Sequence, residues 1–160
     1  MLIHPIPPLY DEKSQILILG SFPSVKSREE CFFYGHPQNR FWKVIARVLD
    51  EKTPETIIEK KEMLLRHNIA LWDVIYSCEI EGSADSTIKN VVTNDLGVIL
   101  ENSVIKTIYV NGKKAEAMYK KYTEMKTGIK AVTLPSTSPA NAAWSEDKLY
   151  NAWKVIAGKD

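Results

Sequence analysis

The sequence predicts an α/β fold, a three-layer α/β/α sandwich around a central four-stranded, mainly parallel sheet. Four short apolar runs, each of strand length, alternate along the chain with segments whose apolar residues recur at helical spacing. The runs are continuous rather than alternating with polar residues, which is typical of strands whose two faces are both covered by helices.

The predicted elements follow one another as crossover connections require. They are a strand at 15–19, a long loop, a helix at 40–49, a helix from 54 to about 67, a strand at 69–75, a polar stretch at 77–87, a helix around 94–101, a strand at 106–110, a helix at 113–122, a strand at 129–134 and a helix from 146 to about 156. Thr53 and Ser145 are the predicted N-caps of two helices. Gly20, Gly112 and Pro135 end three of the strands. The Pro-rich start, at 5–8, is predicted to be an extended arm.

Composition and charge limit the classes of function that the chain can have. The chain has 160 residues, 44% of them hydrophobic, so we expect one domain at 1–160 that needs no metal or disulfide to fold. The net charge of +1 means that any nucleic-acid-binding face must be local. Cys31 and Cys78 lack metal-binding spacing, which excludes zinc fingers and iron–sulfur clusters. No apolar run approaches the ~18 residues of a membrane span, so we expect a cytoplasmic protein without membrane partner or cofactor.

The polar segments that follow the strands are predicted to form one ligand-binding rim. In an open parallel sheet, ligands bind beyond the carboxyl ends of the strands. The segments in question are 20–39, 73–86, 111–113 and 135–141.

The first rim segment carries residue types that suit nucleic-acid binding. Gly20 lets the backbone turn close to a ligand, and Ser24 offers a hydroxyl to phosphate oxygens. Tyr34 and Gly35 lie in a loop too long for a simple connection, where an aromatic ring can stack on a base. Asn39 either contributes to the chemistry or merely caps the helix that follows it.

The other three segments offer a carboxylate, an anion site and a stiff polar loop. Asp73 ends an apolar run, where it is either a cap or a salt-bridge partner, or a group that faces a ligand. The turn at 111–113 joins a strand end to a helix start with two lysines, which favours a phosphate contact. The loop at 135–141 either holds a phosphate, presses into a minor groove or is a surface turn. Phosphate-binding P-loop, dinucleotide and Gly-x-Ser-x-Gly patterns are all missing from the sequence.

Over most of the chain, these segments resemble the uracil-DNA glycosylase superfamily. The run 34–43, Tyr-Gly-His-Pro-Gln-Asn-Arg-Phe-Trp-Lys, is similar to the Phe-Ala-His-Pro-x-Asn-Arg-Phe-Trp-Lys run of the mismatch-specific uracil-DNA glycosylases. Gly-Ser-Phe-Pro-Ser at 20–24 and Ser-Thr-Ser-Pro at 136–139 are similar to motifs of the hypoxanthine-DNA (deoxyinosine) glycosylase branch. Phe22 stands where the mismatch-specific enzymes carry a catalytic Asn, and the last motif lacks the His of the uracil-excising enzymes.

The resemblance implies a monofunctional DNA glycosylase, acting as a monomer without cofactor or metal, that hydrolyses the N-glycosidic bond of hypoxanthine in DNA for base excision repair. It implies Asn39 as the catalytic residue. The base-binding residues would be Phe22, Tyr34, Gly35 and Asp73. The DNA-binding residues would be Gly20, Ser24, Asn111, Gly112, Lys113, Ser136, Thr137, Ser138, Ala140 and Asn141.

Three other interpretations stay open at the level of sequence. In the first, the enzyme removes uracil or a broad range of deaminated bases, with Asn39 in the same role. In the second, the chain is a catalytically inert DNA-binding module on the same fold, because fold does not fix activity. In the third, the four segments are ordinary turns.

Overall fold

The computed structural model describes residues 1–158 and contains a four-stranded parallel sheet and a smaller antiparallel one. The strands are β1 (Leu2–Ile3), β2 (Ile16–Gly20), β3 (Ile69–Asp73), β4 (Ile75–Glu79), β5 (Lys89–Thr93), β6 (Thr107–Asn111) and β7 (Ala131–Leu134). The parallel sheet has the order β3-β2-β6-β7, and every neighbouring pair in it is parallel. The predicted α/β class and four-stranded sheet are confirmed.

Helices cover both faces of the parallel sheet. The helices are α1 (Val25–Glu30), α2 (Phe41–Val48), α3 (Ile57–Arg66), α4 (Gly97–Leu100), α5 (Lys113–Met118), α6 (Glu124–Thr127) and α7 (Glu146–Trp153). Consecutive strand residues point to opposite faces. Leu17 and Ile18 of β2 are both completely buried, so neither face is open to solvent. The continuous apolar runs in the sequence reflect this double burial.

The run 69–75 forms two strands rather than the single strand expected from sequence. β3 ends at Asp73, and β4 begins at Ile75 in the antiparallel sheet, of order β1-β4-β5. Between them the N–H of Val74 donates to the Gly20 carbonyl oxygen at 2.9 Å. An apolar run indicates that a segment is buried, but it does not indicate which strands the segment pairs with. The sequence therefore does not reveal where the chain changes sheets.

Three further details of local structure differ from expectation. The N-cap of α3 is Thr56 and not Thr53, because Thr56 and Glu59 form a reciprocal capping box. The helix predicted around 94–101 is present but spans only Gly97–Leu100, and Asn94 lies before it with its buried side chain donating to two backbone carbonyls. The long loop at 20–39 contains α1, which Ser24 caps by accepting from the Ser27 N–H at 3.2 Å.

The strand order creates a crevice at the carboxyl ends of two central strands. From β2 the chain crosses to β3 on one side, whereas from β6 it crosses to β7 on the other. The crevice therefore lies between the ends of β2 and β6, at Gly20 and Asn111. Open α/β sheets bind ligands at such switch points.

Within residues 1–158, no helix combines the length and hydropathy that crossing a bilayer requires.

The capping box can be tested by removing its threonine. Thr56→Ala removes the side-chain acceptor for the Glu59 N–H, so we expect the free energy of unfolding to fall by about 1 kcal/mol in urea denaturation. Thr53→Ala serves as the control, with an expected change within about 0.5 kcal/mol. A larger loss at Thr53 than at Thr56 would contradict the assignment.

Candidate functional site

The four predicted rim segments meet at one cavity of about 290 Å³. This volume is at the lower end of the range for small-molecule sites. Its lining includes Gly20, Phe22, Ser24, Phe33, Tyr34 and Asn39 from the first segment, Asp73, Ser83 and Asp85 from the second, Asn111 from the third, and Ser136, Thr137, Ser138, Pro139 and Ala140 from the fourth. Of the residues predicted from sequence, the ones outside the lining are Gly35, Gly112, Lys113 and Asn141.

A carboxylate lies at the inner wall of the cavity. Asp73 is 4% exposed, and its Oδ2 lies 2.7 Å from Nε2 of His4. Its other oxygen, Oδ1, has no hydrogen-bond partner among residues 1–158. The pairing with His4 answers the question left open by sequence: Asp73 both has a buried partner and faces the cavity.

The close approach of Asp73 requires glycine at position 20. A Cβ added at Gly20 would lie 2.4 Å from Asp73 Oδ1 and 3.1 Å from the Tyr34 hydroxyl oxygen. Real Cβ atoms essentially never show a contact of 2.4 Å, so a side chain at Gly20 would displace the Asp73 carboxylate, and it would also crowd the Tyr34 hydroxyl. The glycine at the end of β2 thus makes room for both oxygens.

Tyr34 brings a ring and a buried hydroxyl to the same wall. The ring stacks on Phe41, with centroids 4.1 Å apart and planes at 20°, so only its opposite face remains for a base. The hydroxyl is buried and makes no hydrogen bond. Burial first, and the negative charge of Asp73 second, raise the pKa of Tyr34, while the Asn111 side chain lies close enough to act in the opposite direction. Tyr34 therefore stays neutral.

Asn39 lies just before α2, and one atom of its side-chain amide is hydrogen-bonded to the helix. Its Oδ1 accepts the N–H of Phe41 at 2.9 Å, so this atom must be the oxygen and the free end must be the NH₂ group. Nδ2 has no partner among the described residues. The N-cap of α2 is Arg40, one residue later than the sequence interpretation that made Asn39 the cap. Asn39 still accepts the first N–H of the helix, and it also presents a donor to the cavity.

Arg40 fastens the last rim loop to the start of α2. Its guanidinium donates to the carbonyl oxygens of Ser138 (2.9 Å), Asn141 (3.1 Å) and Trp144. Its own backbone N–H donates to the Thr137 carbonyl at 3.1 Å. Arg40 therefore fixes the position of the loop 137–144 relative to Asn39.

Asn111 and Thr137 hold the other end of that loop. The Asn111 amide donates to Thr137 Oγ1 at 3.0 Å and accepts from the Thr137 N–H at 3.1 Å. Thr137 is completely buried, so its side chain shapes the loop from within. Gly112 has φ of +96°, and a Cβ there would lie 3.0 Å from Ser136 Cβ, which explains glycine at this turn.

The serine hydroxyls of the last rim loop accept hydrogen bonds within turns, which leaves their own protons free to donate. Ser136 Oγ and Ser138 Oγ accept the backbone N–H groups of Ser138 and Ala140, each at 3.1 Å. Asn141 donates its side-chain amide to the Ser136 carbonyl at 3.0 Å. A serine hydroxyl that accepts one bond can still donate another, for example to a phosphate oxygen.

A second carboxylate lies at the outer edge of the cavity. Ser21 Oγ donates to Asp85 Oδ1 at 3.1 Å. Asp85 is an exposed residue, but its carboxylate is turned toward protein atoms, and this burial raises its pKa, whereas the hydrogen bond from Ser21 and the charge of Lys114 oppose the shift. The two aspartates thus both line the cavity.

Sequence reasoning missed three residues that build this site. His4 lies far from every motif in the chain, Arg40 has only backbone partners, and Arg28 donates to the Gly82 carbonyl at 2.6 Å to tie α1 to the second rim segment. No spacing or periodicity reveals such contacts, because each joins segments distant in sequence. Among residues 1–158, no three His, Cys, Asp or Glu side chains are grouped to hold a metal ion.

Comparison with known proteins identifies one family. The model of the uracil DNA glycosylase superfamily matches residues 7–157. A hypoxanthine DNA glycosylase of Methanosarcina acetivorans is 35% identical over 158 residues, 98% of each chain, and one of Methanosarcina barkeri is 35% identical over 68% of this chain and 70% of its own. The solution NMR structure of a Methanosarcina acetivorans protein described as a candidate uracil DNA glycosylase superposes with a TM-score of 0.80 at 31% identity, covering 98% of this chain and 99% of its own.

The clamp on the last rim loop can be tested at Arg40. Arg40→Lys keeps the charge but cannot reach three carbonyls at once. We expect the amide protons of Asn141 and Trp144 to exchange at least ~10-fold faster in hydrogen-exchange measurements. Arg47→Lys, on the same helix but paired with Asp147, should leave them unchanged. Equal exchange in the wild type and Arg40→Lys would show that Arg40 does not hold the loop.

Proposed function

This chain belongs to the uracil DNA glycosylase superfamily, and we propose that it is a DNA glycosylase that removes hypoxanthine from DNA by hydrolysing the N-glycosidic bond. The observation that carries the proposal is the convergence of Asn39 and Asp73 on one cavity built by all four rim segments. The chain is similar over nearly its whole length to a hypoxanthine DNA glycosylase of Methanosarcina, and this similarity supports hypoxanthine as the base that is removed.

The cavity suits a single base that has been taken out of the helix. Enzymes that act on a base within duplex DNA rotate the nucleotide outward and read the base in a pocket. Phe22 and the free face of Tyr34 supply aromatic surface, and the Gly35 N–H, which donates to Ser27 Oγ at 2.9 Å, holds the Tyr34 loop against α1. Asp73 Oδ1 is the acceptor for the ring N–H that hypoxanthine has and adenine lacks.

Asn39 contributes a hydrogen-bond donor to the reaction. When water attacks C1′ of the sugar, the bond to the base breaks and its electron pair moves onto the base. The free NH₂ group of Asn39 can donate to the charge that develops there, or to the oxygen of the attacking water. Because Oδ1 is occupied by the Phe41 N–H, the amide is held in one orientation before substrate arrives.

Negative charge around the cavity stabilises the positive charge that develops on the sugar during this reaction. The sugar gains cation-like character as the bond breaks, and nearby negative charge stabilises it. Asp73 is the inner source of that charge. Asp85 and the DNA phosphates next to the lesion are the outer ones.

Small polar residues around the cavity would grip the DNA backbone. Contacts to phosphates position the duplex without reading its sequence. We assign this role to the hydroxyls or backbone N–H groups at Gly20, Ser24, Asn111, Gly112, Lys113, Ser136, Thr137 and Ser138. Ala140 and Asn141, at the tip of the last loop, would fill the gap that the extruded base leaves.

The protein would act as a monomer, because a single rim carries the whole site. One domain over 1–160 would suffice, with residues 159 and 160 lying outside the part that the structure describes. Cys31 and Cys78 are both free thiols, which fits the reducing cytoplasm.

Uracil is the second candidate base. Its N3–H lies beside a carbonyl, as the N1–H of hypoxanthine does, so an acceptor at Asp73 suits both. Phe22, in place of the catalytic Asn of the mismatch-specific enzymes, favours the hypoxanthine branch.

The proposal can be tested with labelled duplexes that carry one deoxyinosine or one deoxyuridine, cleaved by alkali after incubation. We expect abasic product from deoxyinosine, and a loss of about 100-fold or more in the single-turnover rate for Asn39→Ala, because one donor to the developing charge is removed. DNA affinity should be retained. Asn102→Ala, a substitution outside the cavity lining, is the control.

Other outcomes identify the alternatives. Product mainly from deoxyuridine would favour uracil. DNA binding without product from either duplex would mean an inert module, and no salt-dependent DNA binding at all would mean that the rim segments are ordinary turns.

A further inference from the structure

The N-terminal arm carries a histidine to the back of the candidate pocket. β1 pairs with β4, and the His4 N–H donates to the Tyr76 carbonyl at 2.6 Å. The imidazole then reaches Asp73 with its side chain 1% exposed. His4 lies outside the cavity lining, so it does not touch a bound base itself, and the lining residue to which it is hydrogen-bonded is Asp73.

The hydrogen bonds of His4 define its tautomer. The N–H of Ile6 donates to Nδ1 at 3.2 Å, so Nδ1 is an acceptor and carries no proton. The ring proton is therefore on Nε2, which donates to Asp73 Oδ2 at 2.7 Å. His4 therefore donates to Oδ2 and leaves Oδ1 turned toward Gly20 and the cavity.

The surroundings make this donor necessary. Rings of Phe22, Phe33 and Trp72 enclose the imidazole, with centroids 6.0 to 6.4 Å away. Of the ionisable groups nearby, Tyr34 and Asp85 bring no positive charge and Lys114 acts on Asp85. Arg28 lies over the Phe22 ring, 5.5 Å from its centroid, and donates to the backbone carbonyls of Ser24 and Gly82 rather than to Asp73. A buried carboxylate without a donor is costly, so the hydrogen bond from His4 stabilises Asp73 in this position.

We propose that His4 is a positioning residue that holds Asp73 as a hydrogen-bond acceptor and thereby selects bases with a ring N–H at that point. The inference rests on the proposed function. With His4 in place, Oδ1 accepts the N1–H of hypoxanthine and repels the N1 lone pair of adenine. Without His4, Oδ2 loses its donor and the carboxylate is no longer fixed as an acceptor at this point, so the preference for a base with a ring N–H is lost.

The test compares deoxyinosine with deoxynebularine, a purine nucleoside without O6 whose N1 is an acceptor. The measured quantity is the ratio of the two single-turnover excision rates. We expect His4→Leu to lower the deoxyinosine rate about 10- to 100-fold and to lower the ratio. His4→Gln should stay within about 3-fold of the wild type, because its amide can accept from Ile6 and donate to Asp73.

Two further variants keep the test decisive. His67→Leu is the matched control, because His67 pairs with Glu51 outside the cavity lining, at 2.5 Å, and its loss should leave the ratio unchanged. If His4→Leu does not fold, as judged by its thermal unfolding, His4→Asn replaces it. Its amide is too short to reach Asp73, so it should lower the ratio in the same way.

A ratio that stays at the wild-type value in His4→Leu or His4→Asn would overturn the proposal, whatever happens to the rates. Equal losses in His4→Leu and His4→Gln would do the same, since they would reflect packing alone. Failure of the proposed function is distinguishable, because the wild type would then give no product from deoxyinosine.

Discussion

The pairing of β2 with β3 is the constraint on which the site depends. In this parallel register Gly20 lies directly beside Asp73, at the carboxyl end of both strands. Any residue larger than glycine would overlap the carboxylate, so the acceptor can approach the cavity only because the neighbouring strand ends in glycine. The Tyr34 hydroxyl lies beside the same glycine, 3.1 Å from the position of such a Cβ. The strand register thus sets the distance between Gly20 and Asp73, and the glycine leaves room for Tyr34.

The loops around this centre are held mainly by side chains that bind backbone. Arg40 binds three carbonyls of the last loop, and Asn111 binds both polar groups of Thr137. Loops of small residues have little apolar area to bury, so such bonds replace a core. A donor such as the Asn39 amide is effective only if its position is fixed before substrate binds. The rigidity of the rim is therefore part of the proposed chemistry.

Much of the architecture was predictable because it depends on local pattern. Apolar runs of strand length gave the four strands of the parallel sheet, and the rule that ligands bind at their carboxyl ends placed the rim segments together. The errors have different causes. Thr53 and Thr56 are equally good caps by residue type, but only Thr56 is followed three residues later by a Glu, a capping-box pattern that the sequence contains. By contrast, the break at Val74 depends on which sheet each half of an apolar run joins.

By itself, the sequence determined the α/β class, the four rim segments and the motifs that point to Asn39 and Asp73, because residue type and spacing encode burial and turns. Only the tertiary structure decided that His4 donates to Asp73, that Arg40 clamps the last loop and that Asn39 has its NH₂ group free. Each of these features depends on the direction and distance between groups in space. A hydrogen bond across 69 positions of chain leaves no periodicity for sequence analysis to detect.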